Sequence, residues 1–126
     1  MIQDSDLQRL VDRFYARVQE DELIGPLFNA AVGDWPEHLE KLGAFWSSVM
    51  NTSGRYKGNP MAAHLRHASS ITPPMFDRWL CLWRETAREE LGPTEGAIVI
   101  ARAERIAESL KLGLFFKIPQ RGTAAA

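Results

Sequence analysis

The strongest constraint on the fold is a helical spacing of apolar residues that runs through nearly the whole chain. Near the N-terminus, the apolar residues at steps of three and four are Leu7, Leu10, Val11, Phe14 and Val18. Because an α-helix has about 3.6 residues per turn, residues at these steps share one face and form an apolar stripe. Strand alternation is absent apart from a brief aliphatic run at 97–100, and this run lies within a longer helical pattern. The sequence therefore predicts an all-α fold.

Glycine, proline and capping residues divide this pattern into segments. Asp34 precedes Pro36 and Glu37, which is typical of a helix start because aspartate caps, proline fits the first turn and glutamate completes a capping box. Gly25-Pro26 is instead expected to break a helix. The predicted segments are a helix ending near 23–26, one starting at 34–37 and stopping at 51–54, a short one over 61–67, one from 72 to 92 and one over 94–116.

Length and charge limit the kind of protein that this chain can be. The 126 residues suffice for one hydrophobic core, and a net charge of −1 with intermixed acids and bases gives no footprint for nucleic acid or an anionic membrane surface. No apolar run approaches the ~20 residues of a membrane span, and the acidic N-terminus is unlike a signal peptide. We expect a cytoplasmic, water-soluble protein with one domain over 1–118 and a flexible tail over 119–126, binding neither nucleic acid nor membrane.

The single cysteine, Cys81, excludes an internal disulfide and fits a reducing compartment. It stands between Leu80 and Leu82 and is expected to be a buried, inert thiol. Motifs of conventional hydrolytic or transfer chemistry, such as Gly-x-Ser-x-Gly, a phosphate-binding glycine-rich loop or His-Glu-x-x-His, do not occur in the sequence.

Three histidines are the candidate ligands, and the pattern alone leaves their roles open. His38 shares a helix face with Leu42, where a histidine is usually a core or boundary residue. His64 and His67 follow a Gly/Pro-rich loop and, at i and i+3, face one way. No carboxylate or thiol is spaced to complete a zinc or nickel site with them, so the pair alone does not predict one.

Aromatic residues crowd onto three helices and one corner, and two interpretations of them remain open. The residues concerned are Phe14, Tyr15, Phe28, Trp35, Phe45, Trp46, Phe76, Trp79 and Trp83. Packing in a core accounts for most of them. Tyrosine and tryptophan, however, carry a polar hydrogen that needs a partner once buried, and a ligand is one such partner.

Five stretches, taken in order, resemble the truncated haemoglobins, short globins folded as two helices over two around haem. The stretches are FYARV (14–18), DELIGPLF (21–28), WPEHLEKLGAFW (35–46), YKGNPMAAHL (56–65) and FDRWLCLW (76–83). The resemblance covers about residues 5–115. Most members carry Gly-Gly pairs at two interhelical corners, and this chain has none. That departure, a distal-side histidine and the GAFW run are similar to the third group of the family.

The resemblance implies a haem site and assigns residues to it. His64 matches the proximal ligand that binds haem iron, which implies haem b (iron protoporphyrin IX) with His64 as the metal ligand. Tyr15, His38 and Trp79 match the distal pocket, where their hydrogen-bond donors would stabilise a bound ligand. The other implied cofactor contacts, at the pocket walls and haem propionates, are Phe28, Leu42, Phe45, Trp46, Met61, Arg66, His67, Phe76 and Trp83.

The function implied by the resemblance is reversible binding of oxygen and other small haem ligands. Conversion of nitric oxide to nitrate and peroxide chemistry are further activities that it allows, and either needs an unidentified reductase as partner. Two other classes of function stay open: a cofactor-free helical module that binds a small apolar ligand or a partner helix, and a sensor whose haem state alters a partner.

Overall fold

The computed structural model describes residues 2–115, and its helices confirm the all-α prediction. In chain order the helices are α1 (Asp4–Glu20), α2 (Gly25–Ala31), α3 (Trp35–Asn51), α4 (Pro60–Leu65) and α5 (Pro73–Phe115). The predicted tail at 119–126 and the last residue of the predicted final helix lie outside the described residues. No helix in the described part of the chain is sufficiently long and apolar to cross a bilayer.

Side-chain caps fix where α3 and α4 begin. The Asp34 carboxylate accepts a hydrogen bond from the Glu37 N–H at 3.1 Å, as the sequence predicts for the start of α3. Asn59 caps α4 in the same way, since its side chain accepts from the Ala62 N–H at 3.1 Å. Beyond the end of α3, Thr52 adopts a left-handed conformation with φ 52°, which stops the helix where predicted.

The interpretation of Gly25-Pro26 as the end of the first helix is wrong. Helix α1 already ends at Glu20, and Gly25 and Pro26 are the first residues of the separate helix α2. Proline is tolerated in the first turn, where its missing N–H would have no partner within the helix. The chain instead turns at Asp21, whose carboxylate accepts from the Leu23 and Ile24 N–H groups.

Gly92 divides α5 into two arms, as the predicted helix stop at this residue indicated. Its φ of 82° and ψ of 179° are not helical and suit glycine, and Pro93 follows directly. The first arm comprises residues 73–91 and the second arm residues 93–115. Helix α1 packs against α3 and α5, and α4 packs against α5, which gives the two-over-two helical arrangement.

A stack of indole rings fills the centre of the molecule. Trp83 stacks on Trp46 at 4.5 Å and on Trp79 at 5.7 Å between ring centroids, and Phe14 meets Trp83 edge-on at 4.9 Å. The Trp83 indole N–H donates to the Val99 carbonyl at 3.2 Å, which satisfies its polar hydrogen and joins the two arms of α5.

The expectation that Cys81 is buried is also wrong, because its thiol is exposed. Leu80 and Leu82 are 7% and 6% exposed, as expected for core residues. Successive residues of a helix point about 100° apart, so the residue between two buried neighbours still reaches the outer face.

Trp83→Phe is expected to lower the free energy of unfolding by about 2–3 kcal/mol, since it removes the bond to Val99 and leaves unfilled volume in the core. Trp35→Phe is the matched control, because Trp35 is only half-buried at the edge of the core, and it should cost less than about 1 kcal/mol. Urea denaturation measures both. Equal losses in the two variants would contradict the central role of Trp83.

Candidate functional site

His64 lies in α4 with its ring held by the backbone. The His64 Nδ1 is 2.6 Å from the carbonyl oxygen of Pro60, one turn earlier. A carbonyl oxygen can only accept a hydrogen bond, so the proton of the neutral imidazole resides on Nδ1. The ring is half-buried, and its Nε2 therefore carries a lone pair that is available to a ligand.

Helix α4 is seated on the second arm of α5 by a close contact. A Cβ atom placed on Gly113 would lie 2.6 Å from the Met61 sulfur, so the Met61 side chain lies directly against the glycine backbone and a larger residue would displace its flexible end. The loop at 52–59 joins α3 to α4 and is bound to α3 at Tyr56. The Tyr56 N–H donates to the Ser48 hydroxyl at 2.9 Å, and the Tyr56 ring lies 5.2 Å from the Phe45 ring between centroids. The position of His64 relative to α3 and α5 is thus fixed from both sides.

A second cluster brings together the three residues assigned to the distal pocket. Tyr15 is 4% exposed, and its ring lies 6.4 Å from His38 and 5.7 Å from Phe28. The indole N–H of Trp79, on α5, approaches the Tyr15 phenol closely enough to influence its ionisation. Residues from α1, α2, α3 and α5 therefore meet around one phenol.

The environment of this cluster keeps both Tyr15 and His38 neutral at pH 7. Burial raises the pKa of Tyr15 to about 12, and the nearby Trp79 indole N–H opposes this rise because it favours the phenolate. Burial also lowers the pKa of His38 from its ordinary value of 6.5, and the charge of Lys41 adds to this. A neutral His38 presents one N–H and one lone pair, and Tyr15 presents an O–H.

His38 lines a surface cleft and lies next to the buried Tyr15 ring. A cleft of about 190 Å³ is lined by His38, Lys41, Glu37 and residues 31–34. The Trp35 ring packs edge-on against His38 at 5.7 Å and also contacts Tyr15 at 6.1 Å. A larger cleft of about 300 Å³ lies at the bend of α5, between Arg88 and Glu104, and contains none of these residues.

The remaining assigned residues fall into three groups. Phe28, Leu42, Phe45 and Met61 pack against the core but stay partly exposed, as pocket walls require. Phe76 is 7%, Trp46 1% and Trp83 0% exposed, and the last two belong to the central stack. For Trp46 and Trp83 the structure thus shows the core packing that was the other interpretation, and contact with a cofactor stays a prediction. Arg66 is exposed and His67 half-buried in the turn after α4.

Sequence reasoning gave no site role to Trp35 or Tyr56, although both contact assigned residues. Trp35 opens α3 one turn before His38, and that i, i+3 spacing is a signal from which their contact is predictable. The contact of Tyr56 with Phe45 crosses a loop and has no local signal.

Known proteins resemble this chain in sequence and in structure. The family model of the bacterial-like globins matches residues 3–109. The Group 3 truncated hemoglobin ctb of Campylobacter jejuni subsp. jejuni is 30% identical in an alignment 118 residues long, which covers 90% of this chain and 92% of that protein. The crystal structure of group III truncated hemoglobin from Campylobacter jejuni superposes with a TM-score of 0.82 at 29% identity, covering 92% of this chain and 94% of that one.

Stability should fall as the pH rises from about 10 to about 12, because the unfolded tyrosine ionises near 10 and Tyr15 in the folded protein only at about 12. Below pH 10 the phenol is protonated in both the folded and the unfolded protein, so its full contribution to the free energy of unfolding is present. Trp79→Phe should move the ionisation to still higher pH, since the indole N–H favours the phenolate. A spectrophotometric titration in a Tyr56→Phe background isolates Tyr15, because the chain has 2 tyrosines. Ionisation near pH 10 would show that Tyr15 is not buried.

Proposed function

The chain belongs to the bacterial-like globin family and is a truncated haemoglobin of the third group, and we propose that it binds haem b through His64 and takes up oxygen and other small ligands reversibly. Membership itself implies a haem cofactor and haem-based binding of small diatomic ligands. The observation that carries the finer proposal is the hydrogen bond from His64 Nδ1 to the Pro60 carbonyl.

That hydrogen bond prepares His64 for iron. A ligating histidine usually donates its other ring N–H to a carbonyl or carboxylate, which fixes the ring orientation and makes the second nitrogen the ligand. The bond at 2.6 Å does this before any cofactor binds. His64 would hold the haem iron, and the bound iron would supply a coordination position for a diatomic ligand.

The apolar side chains on the neighbouring helices fit a flat hydrophobic group. Leu42 and Phe45 on α3, Met61 on α4, and Met75 and Trp79 on α5 all pack on the core yet keep exposed surface. Each Å² of apolar surface that a porphyrin covers would contribute about 25 cal/mol. A porphyrin held by His64 and covered by these side chains would gain both the coordinate bond and the burial of its apolar surface.

Tyr15, Trp79 and His38 supply donors for a polar ligand. The Tyr15 hydroxyl stays protonated up to about pH 12, and the Trp79 indole N–H approaches the same phenol. These groups are held by the buried aromatic cluster, so no reorganisation is needed when a ligand arrives. Convergent donors favour tight binding and slow release of oxygen.

We propose reversible ligand binding as the primary function and redox catalysis as a secondary one. The acceptor for His64 is a neutral backbone carbonyl and not a carboxylate, so the imidazole gains less basicity than peroxide cleavage favours. Conversion of nitric oxide to nitrate, or reduction of peroxide, would also need electrons from an external reductase. Ligand binding requires neither.

His64→Ala should reduce haem affinity by about a hundredfold or more, since it removes the only assigned bond to iron. His67→Ala is the comparison variant, three residues later at similar burial. It would remove a contact to the haem propionates and no bond to iron, so it should lower the affinity by less than about tenfold. Haem titration of each purified protein, followed by absorption, measures the affinity. Equal losses in both variants would overturn the assignment of His64.

Tyr15→Phe and Trp79→Phe should each speed oxygen release by about tenfold or more, because each removes a donor to the ligand while an aromatic side chain remains at the position. Trp35→Phe controls for disturbance of the aromatic cluster and should change the rate less than threefold. Stopped-flow displacement of oxygen measures the rates. Unchanged release from both donor variants would contradict the distal assignment.

A further inference from the structure

Asp21 forms a polar junction between three helices beside the distal cluster. One carboxylate oxygen accepts from the Leu23 N–H at 3.0 Å and the Ile24 N–H at 3.1 Å, which turns the chain from α1 into α2. The other oxygen accepts from Arg78 Nε at 2.7 Å, on the first arm of α5. The Asp21 side chain is only 6% exposed, so few solvent contacts would replace these bonds.

The residues on each side of this junction contact the distal donors. Tyr15 precedes Asp21 by six residues on α1, and Phe28 of α2 packs against the Tyr15 ring at 5.7 Å. Trp79 directly follows Arg78, and its ring meets Phe14 at 5.3 Å. The bond between Asp21 and Arg78 therefore joins the backbone that carries Tyr15 to the backbone that carries Trp79.

We propose that Asp21 and Arg78 are positioning residues that set the distance between the Tyr15 hydroxyl and the Trp79 indole N–H, and thereby the rate of ligand release. This inference rests on the proposed function, in which those two groups are the donors to the ligand. Neither Asp21 nor Arg78 touches the ligand in this account, and both act through the placement of Trp79.

The local environment of Asp21 keeps its carboxylate ionised, as pairing with Arg78 requires. Burial raises the pKa of Asp21, but the hydrogen bonds from Ile24, Arg78 and Leu23 outweigh it and hold the pKa below its usual value. The carboxylate is thus ionised at neutral pH and pairs with a guanidinium whose side chain is 43% exposed. Loss of Arg78 leaves the turn bonds of Asp21 intact, which makes Arg78 the cleaner position to change.

The test measures oxygen release from Arg78→Gln in the wild-type and Trp79→Phe backgrounds. Arg78→Gln should speed release about three- to tenfold in the wild-type background and less than about 1.5-fold when Trp79 is already absent. The matched control is Arg84→Gln, which removes an α5 ion pair of equal length, 2.7 Å to Glu104, away from α1 and the donors. It should leave the rate within about 1.5-fold of wild type.

A spectroscopic measurement on the haem-free protein gives a second readout. In Arg78→Gln the indole N–H resonance of Trp79 should shift and exchange faster with solvent, while that of Trp83, bonded to Val99, should not change. General destabilisation would accelerate both. The spectrum of Trp79→Phe identifies the Trp79 resonance among those of the 4 tryptophans, because only that resonance is lost.

Three outcomes decide the matter. Faster release confined to the background that contains Trp79 supports the inference. No change in release, or the same change in both backgrounds, overturns it. If the wild-type protein takes up no haem, the proposed function fails, and the indole exchange alone decides whether the junction holds Trp79.

Discussion

The rest of the structure depends on the packing around Trp83. Its indole stacks on Trp46 of α3 and on Trp79 of its own arm, meets Phe14 of α1 edge-on, and donates its N–H to Val99 of the second arm. One fully buried side chain thus contacts every long segment of the fold. Aromatic pairs add about 0.5–1.5 kcal/mol each beyond burial, so this stack fixes the relative positions of the helices.

The two halves of the candidate site follow from this stack and from one short helix. Trp79 belongs to the stack, so its indole is held where it can approach Tyr15. His64 is outside the stack, on a six-residue helix that packs on α5 and orients the ring with its own backbone carbonyl. The donors therefore rest on the rigid core, while the proposed iron ligand rests on a short element fastened to it.

Much of the fold was predictable from sequence, because it depends on local signals. Periodic apolar residues gave α1, α3 and both arms of α5, and Asp34 and Gly92 marked ends that the structure confirms. Helix α2 was not predicted, because a Gly-Pro pair such as Gly25-Pro26 is found both after the end of a helix and in the first turn of one. The site residues came from family resemblance and not from spacing. Contacts such as Asp21 with Arg78, 57 residues apart, have no local signal at all.

The most direct test of the central claim is the iron–histidine stretching band in the resonance Raman spectrum of the ferrous, haem-loaded protein. We expect the band to be present in wild type and His67→Ala, absent in His64→Gly, and restored to His64→Gly by added imidazole, which would occupy the vacated position as a neutral ligand. A band that persists unchanged in His64→Gly without imidazole, or that is absent from wild type, would contradict ligation by His64.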